Sequence, residues 1–505
     1  MTPNELKALD INTARLSFRE NEVSRFDLEL TTKPKSFAAE SFIRFCKNKS
    51  SVVGAIIIIA LIFASIVGPL FVPYELSYND NDYINMKPKG FIFGDGTYTL
   101  DGDAKTFLYW SAIGLAIKDT NGDAFKNGEL SVSNDDDIIN ELSPIRSYVT
   151  YSAPDGSTRY KMKIDSYFRM GFKIVTLSQA DYDALLAYQV ETGEQVVYPM
   201  LPKPNQRSMN IWFAADSKNM PKLDKNGNLT EEYLRDGDGN VMFFYPSGNN
   251  GSQKLVRVLT YKYYVYKNGH VPVNILGTNN IGQDVFVRIC GGVRTSLLLA
   301  LAVFVVTFVL GAFIGAIEGF FGGWLDMLIE RIKDVISGIP FVVLATLFQL
   351  TFVVTGKVSG VGSLLFAFVL TGWISNSSLL RTQFYRFKKQ EYVLAAQTLG
   401  ASDMRQIFKH IFPNSLGTVV TMCALDIPYT IVSEASLSYL GLVSLETTNT
   451  SSLGNMLSNG QGNLLSNPHL LLVPAIVLAL LMICFNLFGN GLRDALNPTL
   501  RGSED

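Results

Sequence analysis

Histidine is nearly absent from this 505-residue chain: His270, His410 and His469 stand far apart, which argues against a histidine-rich metal centre. Cysteine is almost as scarce. Cys46, Cys290, Cys423 and Cys484 all lie in or beside apolar stretches, and the long polar region from about residue 75 to 272 holds none, so it uses no disulfides. A buried thiol acting as a small hydrophobe suits at least three of the four. Also missing are the G-x-x-x-x-G-K-[ST] phosphate cradle, the G-x-S-x-G nucleophile elbow and the H-E-x-x-H zinc helix. If the chain takes part in an energy-driven process, the nucleotide must be handled elsewhere.

What is abundant is apolar side chain, gathered into blocks. Hydrophobic residues make up 48% of the sequence and the mean hydropathy is +0.18. A membrane-spanning helix needs about 20 predominantly apolar residues, because each adds about 1.5 Å across a hydrocarbon core about 30 Å thick. Six blocks qualify: residues 52–72, 297–317, 335–354, 358–380, 416–433 and 470–488. Asn376, Ser377 and Ser378 dilute the fourth, and Asp426 and Pro428 interrupt the fifth. Arg44, Lys47 and Lys49 crowd the start of the first block. Arg331 and Lys333 lie between the second and third, Arg381, Arg386, Lys388 and Lys389 follow the fourth, and Arg493 and Arg501 follow the sixth. With six crossings all these cations share one side, which the positive-inside rule makes cytoplasmic together with both termini. The first span, uncleaved, acts as its own address.

Between the first two spans the composition shifts to Asn, Asp, Gly, Tyr and Lys. Strand-like runs such as "SYVTYSA", "RYKMKI", "VMFFY" and "LVRVLTYKYYVY" are separated by turn signals at Pro154-Asp155-Gly156, Asn226-Gly227 and Asp236 to Gly239. Tyr261, Tyr263, Tyr264 and Tyr266 are read as strand residues. A helix is predicted from about Gln179 to Thr192, with Ser178 as its cap and Gly193 as its stop. Residues 75–272 are thus expected to form a β-rich α+β domain outside the cytoplasm. Two loops starting at Asp119 and Asp224 have calcium-loop spacing at first, yet Ala124 and Leu229 occupy the sixth positions and Leu130 and Arg235 the twelfth. Without the required Gly and Glu they read as turns.

The segment "EYVLAAQTLGASDMRQIFKHIFPNS", residues 391–415, is polar and helix-patterned between apolar spans. Val393, Ala396, Met404, Ile407, Phe408 and Ile411 recur at helical spacing and predict one apolar stripe. Gly400 ends a first short helix; Ser402 and Asp403 start a second, which Pro413 and Asn414 stop. Gly319, Gly322 and Gly323 are expected to permit a tight turn rather than bind phosphate.

This segment resembles the coupling loop of ABC-importer permeases, Glu-Ala-Ala, three residues, Gly, nine residues, an apolar position, any residue, Leu and Pro. Ala395, Ala396, Gly400 and Pro413 fall on that spacing, whereas Leu394, His410 and Phe412 depart from it. "FIRFCKNKSSVVG", "LGTNNIGQDVFVRICGGVRTSL", "GFFGGWLD", "EASLSYLGL" and "NLFGNGLRDALNP" further resemble the C-type permease of oligopeptide, dipeptide and nickel importers. In the second of these, Asn279 and Gln283 replace an acid and a base, a paired loss that would preserve local balance. The resemblance covers about residues 40–74 and 272–500; the inserted domain lies outside it.

The resemblance implies an all-α polytopic membrane domain of six transmembrane helices, of the ABC-importer permease type, with the α+β domain inserted. The expected organisation is a cytoplasmic segment 1–50, a first helix 51–74, the insertion 75–272, a permease domain 273–490 with its coupling loop at 381–415, and a cytoplasmic tail 491–505. It implies a bacterial cell-membrane permease that is not itself an enzyme and holds no cofactor. Expected partners are a homologous second permease, two ATP-binding subunits and an extracytoplasmic substrate-binding lipoprotein, with no nucleic acid. The coupling residues would be Glu391, Ala395, Ala396, Gly400, Ser402, Asp403 and Pro413. Asp426 and Glu434, acids in an apolar span, either line the translocation path or serve structural pairing. Oligopeptides or dipeptides lead as cargo, with nickel or another small solute as the alternative. A membrane-anchored receptor acting through its external domain is a further reading, though no cytoplasmic signalling domain is evident. An ion-coupled transporter would show paired inverted halves, and no such repeat is seen.

Overall fold

The computed structural model describes residues 37–90, 94–118, 125–126, 129–130, 138–200, 225, 234–248, 251–423 and 425–496. Helix α1 (Phe37–Lys47) leads into α2 (Lys49–Val67), which Asn48 caps by accepting the Ser51 amide. Only Ser51, Gly54, Ile58 and Ser65 of α2 are buried, a narrow stripe; Ile56, Ile59, Phe63 and Ile66 face outward, as a lipid-contacting helix requires. Cys290 and Cys484 are buried and Cys46 is exposed.

The inserted region is built on antiparallel strands. A hairpin of β1 (Lys89–Gly90) and β2 (Gly94–Asp95) precedes β3 (Thr97–Gly102), helix α3 (Ala104–Lys118) and a second small hairpin, β4 (Phe125–Lys126) with β5 (Glu129–Leu130). Strands β6 (Ile145–Ser152) and β7 (Thr158–Asp165) join across the turn at Gly156, and β3 adds to β7 to give the order β3-β7-β6. Then β8 (Phe172–Ser178), helix α4 (Gln179–Thr192), β9 (Val197–Tyr198), β10 (Phe244–Ser247) and β11 (Gln253–Leu259) form a sheet in which β11 pairs with the other three strands. Ser178 caps α4 through the Asp181 amide, and Gly193 ends it at φ 71°, as the sequence indicated. The turn at Asp236 to Gly239 also forms, Gly239 taking φ 85°. Asn226-Gly227 and most of both calcium-like loops lie outside the described residues.

Two expectations fail here. The tyrosine-rich run is a helix, α5 (Thr260–Asn268), directly after β11, so the predicted long strand breaks at Thr260. Wrapped at 3.6 residues per turn, Tyr264 reaches the core beside Tyr83, while Tyr263 and Tyr266 pack on the β8–β11 sheet. Helix α3 was not anticipated either. Asp103 starts it by accepting the Thr106 amide at 2.9 Å, and Phe107 stacks on Tyr160 with ring centroids 4.3 Å apart. Among the described residues the inserted region thus holds eleven strands and three α-helices.

The membrane part resumes with α6 (Val285–Phe321), α7 (Gly323–Ser337) and α8 (Phe341–Phe348), continued by a π turn to Val353. It closes with α9 (Gly360–Lys388), α10 (Glu391–Thr398), α11 (Asp403–Arg405), α12 (Phe412–Cys423), α13 (Asp426–Tyr439), α14 (Leu453–Gln461) and α15 (His469–Leu496). Among the described residues, four helices are long and apolar enough to cross a membrane: α2 with its 3-10 extension to Phe71, α6, α9 and α15. The pair Gly323–Ser337 and Phe341–Val353 passes the same test together but bends by 73°. Residues 416–433, read as one span, fall across α12 and α13. Along α6, Gly311, Gly315 and Gly319 form a small-residue stripe on α9; a Cβ at each would sit 2.6, 2.3 and 2.5 Å from Asn376, Ser377 and Phe384. Gly319 thus serves helix packing, not the turn; Gly322 and Gly323, both at positive φ, make the turn.

The inserted domain is tied to the start of α6. The Met86 amide donates to Thr278 Oγ1 at 2.9 Å, Asn274 Nδ2 donates to Asp284 Oδ2 at 2.8 Å, and Asp284 in turn caps α6 through the Val287 amide. Asn279 Nδ2 donates to Gln283 Oε1 at 3.0 Å, so the neutral pair standing in for an acid and a base still bonds to itself.

Candidate functional site

The segment 391–415 folds as two helical pieces hinged at Gly400, which takes φ +81°. Positive φ costs an L-residue about 1–2 kcal/mol, so the hinge favours glycine. Its amide donates to Gln397 O and the next amide, Ala401, to Ala396 O, both at 3.0 Å, closing the C-terminus of α10. Ser402 occupies the following N-cap with extended backbone, but its hydroxyl makes no capping bond; Asp403 sits in the first turn and Glu391 in that of α10. Burial also pushes the Tyr392 phenol above its ordinary pKa.

Pro413 does not stop the second piece. Residues 406–411 form a π turn, and the helix runs on through α12 to Cys423. A proline lacks the amide proton and crowds the preceding turn; the wider π turn relieves that crowding. Asn414 Nδ2 then donates to His410 O at 2.7 Å, so Asn414 supports continuity rather than termination.

Nor do the apolar residues share one face. Val393, Ile407 and Ile411 are buried against Phe320, Leu380, Phe384 and Val419. Met404 and Phe408 point the other way, and with Leu394 and Leu399 they are 61%, 62%, 48% and 88% exposed. Ala396 is half-buried, while Ala395 and Pro413 are exposed. One side anchors the segment to α6 and α9. The other is an uncovered apolar surface of the kind that marks a protein contact.

Asp426 and Glu434 separate in role. Asp426 begins α13 and lines a cavity of about 640 Å³ between α6, the α7–α8 bend, α9 and α13. Asn376 hydrogen-bonds its carboxyl and also donates to Thr307 Oγ1 at 3.4 Å. Ser375 is exposed and Tyr429 is 66% exposed at this cavity, which therefore opens on the side of the helix bundle. Glu434 is fully buried and accepts from Ser296 at 2.8 Å, Ser438 at 3.1 Å and Ser452 at 2.5 Å. It pins α6, α13 and α14 together and is not among the cavity-lining residues.

Sequence reasoning missed a charged network that links α6, α7 and α9. Lys333 Nζ lies 2.7 Å from Glu318 Oε2 and 3.0 Å from Glu330 Oε1, with the Lys333 and Glu318 side chains 3% and 0% exposed. Ser377 donates to Glu318 at 2.8 Å. Arg381 grips Asp326 through Nε and Nη2 at 2.5 and 2.8 Å, and Tyr385 donates to the same carboxylate at 2.7 Å. Lys333 is thus an interior ion-pair partner, not the loop cation it was counted as. The available signal was spacing: Asp326, Glu330 and Lys333 share one helix face, opposite Trp324, Leu328 and Val335.

Two family models match parts of this chain. The family of binding-protein-dependent transport system inner membrane components matches residues 307–502, and the N-terminal transmembrane domain of oligopeptide transport permease C matches residues 36–88. The oligopeptide transport system permease protein OppC of Bacillus subtilis is 40% identical over 45% of this chain and 72% of its own. The dipeptide transport system permease protein DppC of Lactococcus lactis is 37% identical over 48% and 68%, and that of B. subtilis 35% identical over 45% and 68%. Among solved structures, the inward-facing MetNI methionine ABC transporter is similar over 41% of this chain and 94% of that one, at 16% identity and a TM-score of 0.33. With relatives at this identity spanning more than two thirds of their own length, the chain belongs to the oligopeptide/dipeptide permease family of ABC importers.

Proposed function

We propose that this chain is the membrane subunit through which an ATP-driven importer passes oligopeptides or dipeptides, contributing half of the path. The carrying observation is the two-sided lever at 391–411. Its buried side is packed on α6 and α9, and its exposed side offers Leu394, Leu399, Met404 and Phe408 to a partner. A nucleotide-binding subunit gripping that surface would move α6 and α9 with it, and these helices wall the cavity at Asp426. Such coupling needs contacts that differ between two states, which a rigid lever in a partner's groove supplies.

The cavity's open side supports a second, homologous permease as its other wall, since a carboxylate and hydroxyls among membrane helices call for cover by protein or water. Two ATPase subunits and a substrate-binding lipoprotein complete the assembly. We read six crossings: α2, α6, the bent α7–α8 pair, α9, the broken α12–α13 pair and α15. The lever and both termini then face the cytoplasm, with Arg44, Lys47, Lys49, Arg386, Lys388, Lys389 and Arg493 on that side. Residues 75–272 lie opposite, where they form a landing surface for the binding protein or brace the partner permease. In proteoliposomes holding the full complex, Gly400→Pro should abolish ATP-driven peptide uptake while co-purification with the ATPase persists. Retained uptake would refute the lever's role.

A further inference from the structure

The cavity at the start of α13 has a one-sided chemistry. Asp426 is the single charged residue in its lining. Three of the wall hydroxyls already donate inward to backbone: Thr307 to Val303 O at 2.8 Å, Thr371 to Ala367 O at 3.3 Å and Thr430 to Asp426 O at 2.8 Å. Their protons are committed; Thr307 Oγ1 also accepts from Asn376 Nδ2 at 3.4 Å, and Ser337, Ser375 and Tyr429 add further hydroxyls to the lining. Asn376 holds the Asp426 carboxyl from the bundle side. A lone carboxylate among hydroxyls, three of which have already given their protons to backbone, makes a wall suited to a positively charged donor group. Lysine-type and N-terminal ammonium groups fit that description: three N–H donors, no acceptor, one positive charge.

We infer that Asp426, with Thr307, Thr371 and Thr430, receives a primary ammonium group of the cargo as it crosses, and so favours peptides that carry one. This rests on the peptide-import reading and names the specificity element within it. A cation leaving water for a path between membrane helices is held back by desolvation, and a fixed counter-charge with acceptors lowers that barrier. Ser375 and Tyr429, at the open side of the cavity, complete the polar rim.

The test uses the whole complex in proteoliposomes, driven by ATP, with saturating cargo-loaded binding protein so that the maximal rate reports the membrane step. Three labelled tetrapeptides are compared: one without lysine and with a free N-terminus, its N-acetylated form, and an N-acetylated form carrying one lysine. Asp426→Asn should lower uptake of the ammonium-bearing peptides about tenfold relative to the acetylated lysine-free one, the effect of losing a charge-assisted hydrogen bond. Asp426→Glu should keep the preference. A fall confined to the free-terminus peptide assigns the α-ammonium; a fall confined to the lysine peptide assigns the side chain. An unchanged ratio, whether all rates drop together or none moves, overturns the inference. Wild-type complex that hydrolyses ATP yet carries none of the three peptides overturns the peptide reading itself.

Discussion

Removing Lys333 should damage this protein more than its place among nominal loop cations suggests. Its ammonium is 3% exposed and serves Glu318, Glu330 and Ser378 at 2.7, 3.0 and 3.3 Å. Glu318 is fully buried, and its Oε1 has no partner. In Lys333→Met the Glu318 carboxylate keeps a single donor, Ser377, so a charge is left in the interior nearly unmatched. Breaking a buried pair in this way costs about 3–5 kcal/mol, whereas replacing both members with apolar residues is close to neutral. The double variant Glu318→Leu/Lys333→Met should therefore recover most of the loss. Denaturing-detergent titration of the purified complex, with the two single variants and the double one, gives the coupling directly. Lys333→Met unfolding with the wild type, or a double variant no more stable than the single, would refute the reasoning.

Leu399→Asp, at a site 88% exposed, should leave folding intact yet lower ATPase co-purification at least tenfold, read by pull-down from membranes. Gly282→Ala would place a Cβ 1.8 Å from Asp80 O at a backbone φ of +76°; a loss of about 3 kcal/mol is expected, seen as faster proteolysis at the base of the inserted domain.

The hinge, the α4 boundaries and the first, second, fourth and sixth apolar blocks were legible because each rests on a local rule: glycine at positive φ, a serine cap, or an unbroken apolar run. Pro413 was misread because a local rule was overridden. The π turn at 406–411 is not encoded by any single residue, and it lets a proline enter a continuing helix. The tyrosine run was ambiguous by periodicity, since aromatic residues suit a strand as well as a packed helix. The lever's two faces could not be told apart from hydrophobicity alone. Which apolar residues were buried depended on packing against other helices, Phe320 of α6 above all, which lies 73 residues before Val393. Glu434 and Asp426 looked alike as acids at the end of and within one apolar block, and only three serines from separated helices distinguish the structural one.

Helix α7 is amphipathic with its polar side turned inward, and that orientation bears on how the chain is assembled at the translocon. Asp326 finds its guanidinium partner 55 residues later in the chain. At ribosomal speeds of about 5–20 residues per second, the carboxylate waits about 3–11 seconds for Arg381 to be made. Throughout that interval the acidic edge has no counter-ion from α9. Full charge pairing of α7 thus waits on the synthesis of α9.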